Sequence, residues 1–165
     1  LGVAKVRNEN EYLEALKEAF SLDHKILLEQ AIIGREIEAA VLGNDSPEVA
    51  ATLGEIIPNH EFYSYDAKYV DPNGASLKIP AEIEANVANR IRDLAAESFR
   101  IVEGLGMARV DFFLTKDNQI YINEINTLPG FTSISMYPKL WEASGLSYSE
   151  LLHQLVQLGL QRAAV

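Results

Sequence analysis

The chain has 165 residues, enough for one domain with a substantial core, and 48% of them are hydrophobic, which excludes a disordered chain. Its formal net charge of −10 excludes a general nucleic-acid binder, which needs a basic face. The absence of cysteine excludes disulfides, thiolate zinc sites and thiol nucleophiles, and no apolar run reaches the ~18 residues needed to cross a bilayer.

The chain opens LGVAKV, which reads as the exit of a glycine-containing loop into a strand, with Leu1 in place of an initiator methionine. The expectation is that upstream sequence is missing. Asn8 followed by Glu11 resembles a helix start, and Tyr12, Leu13, Leu16, Ala19 and Phe20 give an apolar face for a helix over residues 9 to 20. Lys25 to Gln30 reads as a short buried strand. Beyond Gly34, Arg35 to Leu42 alternates, with Ile37, Ala39 and Val41 on one side and Glu36, Glu38 and Ala40 on the other. Ala51 to Pro58 and Glu61 to Tyr65 are expected to be further strands. Asp66 to Pro80 is polar, with two prolines and a glycine, and reads as a loop long enough to serve as a lid or binding loop. Ile83, Val87, Ile91, Leu94, Ala95 and Val102 keep helical spacing, which predicts a helix over 81 to 103 ended by Gly104.

Two strand-like runs then flank Thr115-Lys116-Asp117-Asn118, a loop with hairpin turn chemistry. Strand alternation puts Arg109, Asp111 and Phe113 on one face of the first strand, and Ile120, Ile122, Glu124 and Asn126 on one face of the second. Pairing Phe113 with Ile120 sets Asp111 across from Ile122 and Arg109 across from Glu124, with Asp111 and Glu124 as diagonal neighbours. Two carboxylates, an amide and a guanidinium then converge at one end of an apolar surface. Buried charges need a partner, and oxygen ligands of this kind suit a hard cation such as magnesium, which takes one or two carboxylates plus substrate phosphates. The arginine would face phosphate oxygen. The competing reading is a partly buried Arg109 to Glu124 ion pair with Asp111 at its rim. Finally, Ser147 and Glu150 make a capping box for a terminal helix carrying Leu151, Leu152, Leu155, Val156 and Leu158. This order favours α+β with a mainly antiparallel sheet and flanking helices. Neither a GxGxxG nor a GxxxxGK[ST] motif occurs, so classical dinucleotide and P-loop folds are not supported. Trp141, Phe112, Phe113 and Phe131 read as core, and the three histidines match no ligand spacing.

The run DFFLTKDNQIYINEINTLPGFTSISMYPKL resembles the C-terminal signature of D-alanine-D-alanine ligases of the ATP-grasp superfamily. LLEQAIIGREIEAAVLGN at 27 to 44, YDAKY at 65 to 69 and the closing GLSYSELLHQLVQLGL extend the resemblance over essentially the whole chain. It implies an ATP-grasp fold fragment, with 1–33 the end of the central subdomain and 34–165 the C-terminal subdomain, carrying an omega-type loop at about 66–80. It implies ATP-dependent joining of two D-alanines through an acylphosphate, in the cytoplasm, by a homodimer, with no nucleic acid and no membrane as partner. Asp111, Glu124 and Asn126 match the ligands of two magnesium or manganese ions. Arg109 matches the group that holds the transferred phosphoryl. Glu29 matches the carboxylate that receives the adenine amino group, with Gln30, Ala31 and Ile32 lining the base, and Glu36 matches the ribose ligand. Lys68 would reach the ATP phosphates and Tyr69 the second substrate, tyrosine at that position going with dipeptide formation. Gly130, Ser135 and Met136 match the seat of the second D-alanine's carboxylate, at a helix start. The family also has an N-terminal domain and a glycine loop with a lysine, which precede the position of Leu1, so the chain by itself is expected to be poorly active. The rival readings are another ATP-grasp carboxylate-amine ligase and a non-catalytic nucleotide-binding module.

Overall fold

The computed structural model describes residues 2–58, 75–132 and 134–163. The expected strand Glu61 to Tyr65, Lys68, Tyr69 and the 66–74 part of the expected loop lie outside the described residues. The chain divides into two units, Leu1–Ile33 and Gly34–Val165.

The first unit is built around helix α1, Glu9–Leu22. Its start is the one its sequence announces: Asn8 Oδ1 accepts from the Glu11 N–H at 3.0 Å, and a Glu11 carboxylate oxygen accepts from the Arg7 N–H at 2.8 Å. None of its residues is fully buried, and Phe20 is 56% exposed. Lys25 to Gln30 is not a strand, nor is Gly2 to Val6. A strand needs a neighbour for its backbone groups, and among the described residues none pairs with either segment, leaving Leu27 84% exposed.

The second unit is an antiparallel sheet in the order β4-β3-β1-β5-β6, from β1 (Arg35–Gly43), β3 (Gly54–Pro58), β4 (Ala75–Lys78), β5 (Gly106–Leu114) and β6 (Ile120–Asn126). The two-residue β2 (Glu48–Val49) also pairs with β1. β4 corrects the expected loop, whose last part is a strand paired with β3 through Glu55↔Lys78 to Pro58↔Ala75. Arg35 Nε and Nη2 clamp both Glu55 oxygens at 2.7 Å across β1 and β3.

Helix α2, Ala85–Ile101, packs on β1 and β5. Its buried Val87, Ile91, Ala95 and Phe99 meet Ile37, Ala39, Val41, Ala108, Val110, Phe112 and Leu114. It starts four residues later than expected, because the Ala81 N–H is bonded to the Leu53 carbonyl at 2.8 Å. At its other end the Gly104 N–H reaches Phe99 O at 2.8 Å and the Glu103 N–H reaches Arg100 O at 3.0 Å, a Schellman closure. The left-handed residue of that closure is Glu103, at φ 53°, not Gly104. Helices α3 (Met136–Ala143) and α4 (Tyr148–Ala163) supply Met136, Tyr137, Leu140, Trp141 and Leu151 to a second core, with Ala40, Leu42 and Ile56 of the sheet. The Ser147–Glu150 capping box forms as expected. Of the α4 apolar residues, Leu151 is buried while Leu152 and Val156 are exposed, so that helix buries a narrower stripe than its sequence suggests.

Candidate functional site

Alternation along β1 puts Ile37, Ala39 and Val41 against α2 and turns Glu36, Glu38 and Ala40 to the other face. Half of that second face is the apolar core under α3 and α4. The other half is polar. β5 lies antiparallel to β1 with Glu36↔Phe113, Glu38↔Asp111 and Ala40↔Arg109, so Glu38 and Asp111 are direct neighbours.

The hairpin differs from its expected register along its whole length: Phe113 pairs with Tyr121, not Ile120, a shift of one residue, and a bulge shifts the pairs beyond it by one more. Leu114 pairs with Ile120 and Phe112 with Ile122, but Asp111 pairs with Glu124 and Arg109 with Asn126, because a bulge leaves Asn123 extra on β6. One extra residue reverses the alternation. Ile120 turns toward the α2 core, where Ile125 also packs, and Glu124 and Asn126 turn to the face of Arg109 and Asp111. The expected diagonal relation of Asp111 and Glu124 is thus a direct one. Glu38, Asp111 and Glu124 form a row across three strands.

Arg109 lies across from Asn126 rather than from Glu124. Its Nε and Nη2 clamp Asp111 Oδ1 and Oδ2 at 2.7 Å each, and Nε lies 3.2 Å from Glu38 Oε2. Burial pulls the Arg109 pKa down, but the Asp111 hydrogen bonds and the charges of Glu38, Asp111 and Glu124 outweigh it, so the group stays protonated. The pKa of Asp111, only 7% exposed, is raised as well, here toward the neutral form. Burial raises its pKa most, and neighbouring Glu124 adds to the rise, against the pull of Arg109. A carboxylate in this position is relieved by an added cation.

Asn126 shows where that cation can go. Its Nδ2 lies 3.1 Å from Asp111 Oδ2 and 3.1 Å from Glu124 Oε1, so the two carboxylates converge on one donor carrying partial positive charge. Turning the amide over presents Oδ1 as a third oxygen instead. Two carboxylates and an amide oxygen fit a hard divalent cation that completes its shell with water and phosphate. Among the described residues no group of three His, Cys, Asp or Glu side chains is placed to hold a metal, so any ion here would take a mixed carboxylate-amide set.

The other expected site residues fall in three places. Glu36 is half-buried on the same face, two residues from Glu38. Glu29, Gln30 and Ala31 are exposed and Ile32 half-buried in irregular chain of the first unit. Gly130 and Ser135 are brought together: a Cβ on Gly130 would sit 2.9 Å from Ser135 Oγ. Ser135 stands at the N-cap of α3, yet its hydroxyl makes no cap bond and instead receives the Thr132 N–H at 3.0 Å. Met136 is 3% exposed, its sulfur packed where a Cβ on Gly54 would come within 2.4 Å, so only its main chain can face a ligand. Trp141 and Phe112 are core as expected, and half-buried Phe131 lies 5.4 Å from Tyr148 and 5.8 Å from Tyr137, ring centre to ring centre. The residue that sequence reasoning missed is Glu38. Its polar face was legible, but its contact with Arg109 depends on the β1–β5 register.

A family model described as D-ala D-ala ligase C-terminus matches residues 1–157. The chain belongs to the D-alanine-D-alanine ligase family. It is 57% identical over 162 residues to the D-alanine--D-alanine ligase of Oceanobacillus iheyensis, a match covering 98% of this chain and 44% of that relative. Among solved structures it superposes on the D-alanine-D-alanine ligase from Coxiella burnetii with a TM-score of 0.84 and 43% identity, over 96% of this chain and 41% of that one. It also matches the D-alanine--D-alanine ligase from Bacillus anthracis complexed with ATP, with a TM-score of 0.78 and 29% identity, over 94% of this chain and 49% of that one. The α+β fold is therefore that of the ATP-grasp ligases, and the chain spans less than half the length of these relatives.

Proposed function

We propose that this chain carries the metal and acceptor side of an ATP-dependent ligase that joins two D-alanines to D-alanyl-D-alanine, a precursor step for peptidoglycan. The observation that carries the reading is the convergence of Asp111 and Glu124 on Asn126, beside a half-buried arginine, in a member of this family. A carboxylate oxygen of the first D-alanine attacks the γ-phosphorus of ATP, and ADP leaves. The amine of the second then attacks the acyl carbon, phosphate leaves and the amine loses a proton.

Such chemistry asks the protein mainly for positioning and charge stabilisation. Asp111, Glu124 and Asn126 would hold magnesium, or manganese, and two ions follow the family pattern. When bound, the metal neutralises phosphate charge. Arg109 stays cationic throughout the physiological range and offers a planar fork of donors to the transferred phosphoryl. Lys68 would grip the phosphates, and Tyr69 would face the second D-alanine. Glu29, with Gln30, Ala31 and Ile32, would hold the adenine and Glu36 the ribose. Gly130, Ser135 and the main chain of Met136 would seat the second carboxylate at the start of α3. A cytoplasmic homodimer belongs to the same reading, and no helix among the described residues is long and apolar enough to cross a membrane. The 57% identity to a named ligase favours it over another carboxylate-amine ligase.

ADP release with D-alanine, ATP and magnesium tests it. The chain alone, which spans 44% of its relative, is expected to turn over little. Joined behind the N-terminal part of the Oceanobacillus iheyensis ligase, it should turn over and lose activity on Glu124→Gln. A folded but inactive chimera, or one indifferent to Glu124→Gln, would contradict the reading.

A further inference from the structure

Glu38 has no part in the reaction as derived so far, yet it is 7% exposed in the polar half of the sheet face. Around it stand Glu36 and Ala40 along β1, Gly54 across on β3 and Asp111 across on β5, none of them cationic. Arg109 Nε lies 3.2 Å from Glu38 Oε2. Arg109 meanwhile spends two donors on the two oxygens of Asp111, and Asp111 Oδ2 receives Asn126 as well. A cation drawn to Asp111 would compete with the guanidinium for the same carboxylate charge and weaken that hold. With the Arg109 side chain only 16% exposed, losing that partner would strand a nearly buried charge.

We infer that Glu38 is a positioning residue: it retains Arg109 when Asp111 turns to the metal ion, so that one arginine and one aspartate can act together on the phosphates. The inference rests on the metal reading above. β1 and β6 flank β5 on opposite sides, so Glu38 can hold the guanidinium from one side while Glu124 and Asn126 close around the ion on the other.

The test is a magnesium titration of the ¹⁵N-labelled 165-residue chain with ATP present, following the Arg109 Nε–H and the Asn126 side-chain amide. In the unmodified chain the Asn126 signal should move with magnesium while the Arg109 Nε–H stays slow to exchange. In Glu38→Gln the Arg109 Nε–H should exchange faster as magnesium saturates, and the apparent magnesium Kd should weaken by about tenfold, which corresponds to about 1.4 kcal/mol. That weakening should vanish when Arg109 is Met in both members of the comparison. The same tenfold loss in the Arg109→Met background would show that Glu38 acts on the ion by charge alone and overturn the proposal. Asp111→Asn separates the two failures. If it abolishes the Asn126 response while Glu38→Gln changes neither signal, the role of Glu38 is wrong and the metal reading stands. If magnesium never moves Asn126, the metal reading fails and takes the role of Glu38 with it. Should Glu38→Gln not fold, Glu38→Asp, which keeps the charge with one methylene less of reach, should show the same changes to a smaller degree. No change in either signal with Glu38→Asp would then overturn the proposal.

Discussion

The two faces of the β1–β5 strand pair are made from alternate residues of the same stretches of sequence, yet they solve different problems. One face, under α2, is apolar from Ile37 to Val41 and from Ala108 to Leu114. The other is divided, apolar where α3 and α4 cover it and charged at Glu38, Arg109 and Asp111. The first face shows what stabilises the sheet, and the divided face shows what that stability supports. Buried charges there can be sustained only because the opposite face and the apolar half hold the strands in register. The bulge at Asn123 joins the two, since it keeps Ile120 and Ile125 with the core while Glu124 and Asn126 go to the site.

Deleting Asn123 attacks that division most directly. A regular ladder must send either Ile120 out of the core or Glu124 and Asn126 into it, and burying an unpaired charge should cost more than about 3 kcal/mol. Urea unfolding should show a large fall in midpoint, and a near-normal one would mean the bulge does not separate the faces. Phe99→Ala empties the centre of the apolar face, where the ring is fully buried, and should cost about 3–5 kcal/mol by the same measurement. Glu124→Gln touches only the charged face. In the chimera described above, it should lower ADP formation on the order of 10²–10³-fold, the scale of losing one electrostatic contact to a developing charge. Because Glu124 is exposed, the melting temperature should hardly move. Equal losses of stability from Phe99→Ala and Glu124→Gln would erase the distinction between the faces.

The smallest effect concerns Arg35 and Glu55, an ion pair at the edge of the apolar face. The Arg35 hydrogen bonds hold the Glu55 carboxyl below its ordinary value. A depressed pKa contributes stability that is fully present above the unfolded value of about 4.3 and is lost as the pH falls through the folded one. Glu55→Gln should therefore flatten part of the loss of stability on acidification below that value. Urea curves of equal acid sensitivity in both proteins would contradict this.

Much of this was legible in the residues. Alternation in Arg35 to Leu42 sorted the faces of β1, and the spacing of Val87, Ile91 and Ala95 identified α2. The asparagine and serine caps marked the starts of α1 and α4. What stayed hidden depended on partners distant in sequence. Lys25 to Gln30 has strand-like residues but no neighbouring strand among the described residues, while β4 is a strand by virtue of pairing with β3. The bulge carries no glycine or proline to announce it, and together with a one-residue shift at the turn it moved the pairing of Arg109 from Glu124 to Asn126. Glu38 was assigned to the correct face, but which residues it would meet there was a matter of register. The resemblance to the ligases named candidate site residues without requiring these details.

The central claim is that Asp111, Glu124 and Asn126 form the cradle of a divalent cation bound with ATP. Anomalous scattering from crystals of the chimera grown with manganese and ATP tests it most directly. A manganese peak is expected between the Asp111 and Glu124 carboxylates, with the Asn126 amide turned so that Oδ1 faces it. ATP-bound crystals with manganese elsewhere, and Asn126 Nδ2 still bridging the two carboxylates, would contradict it.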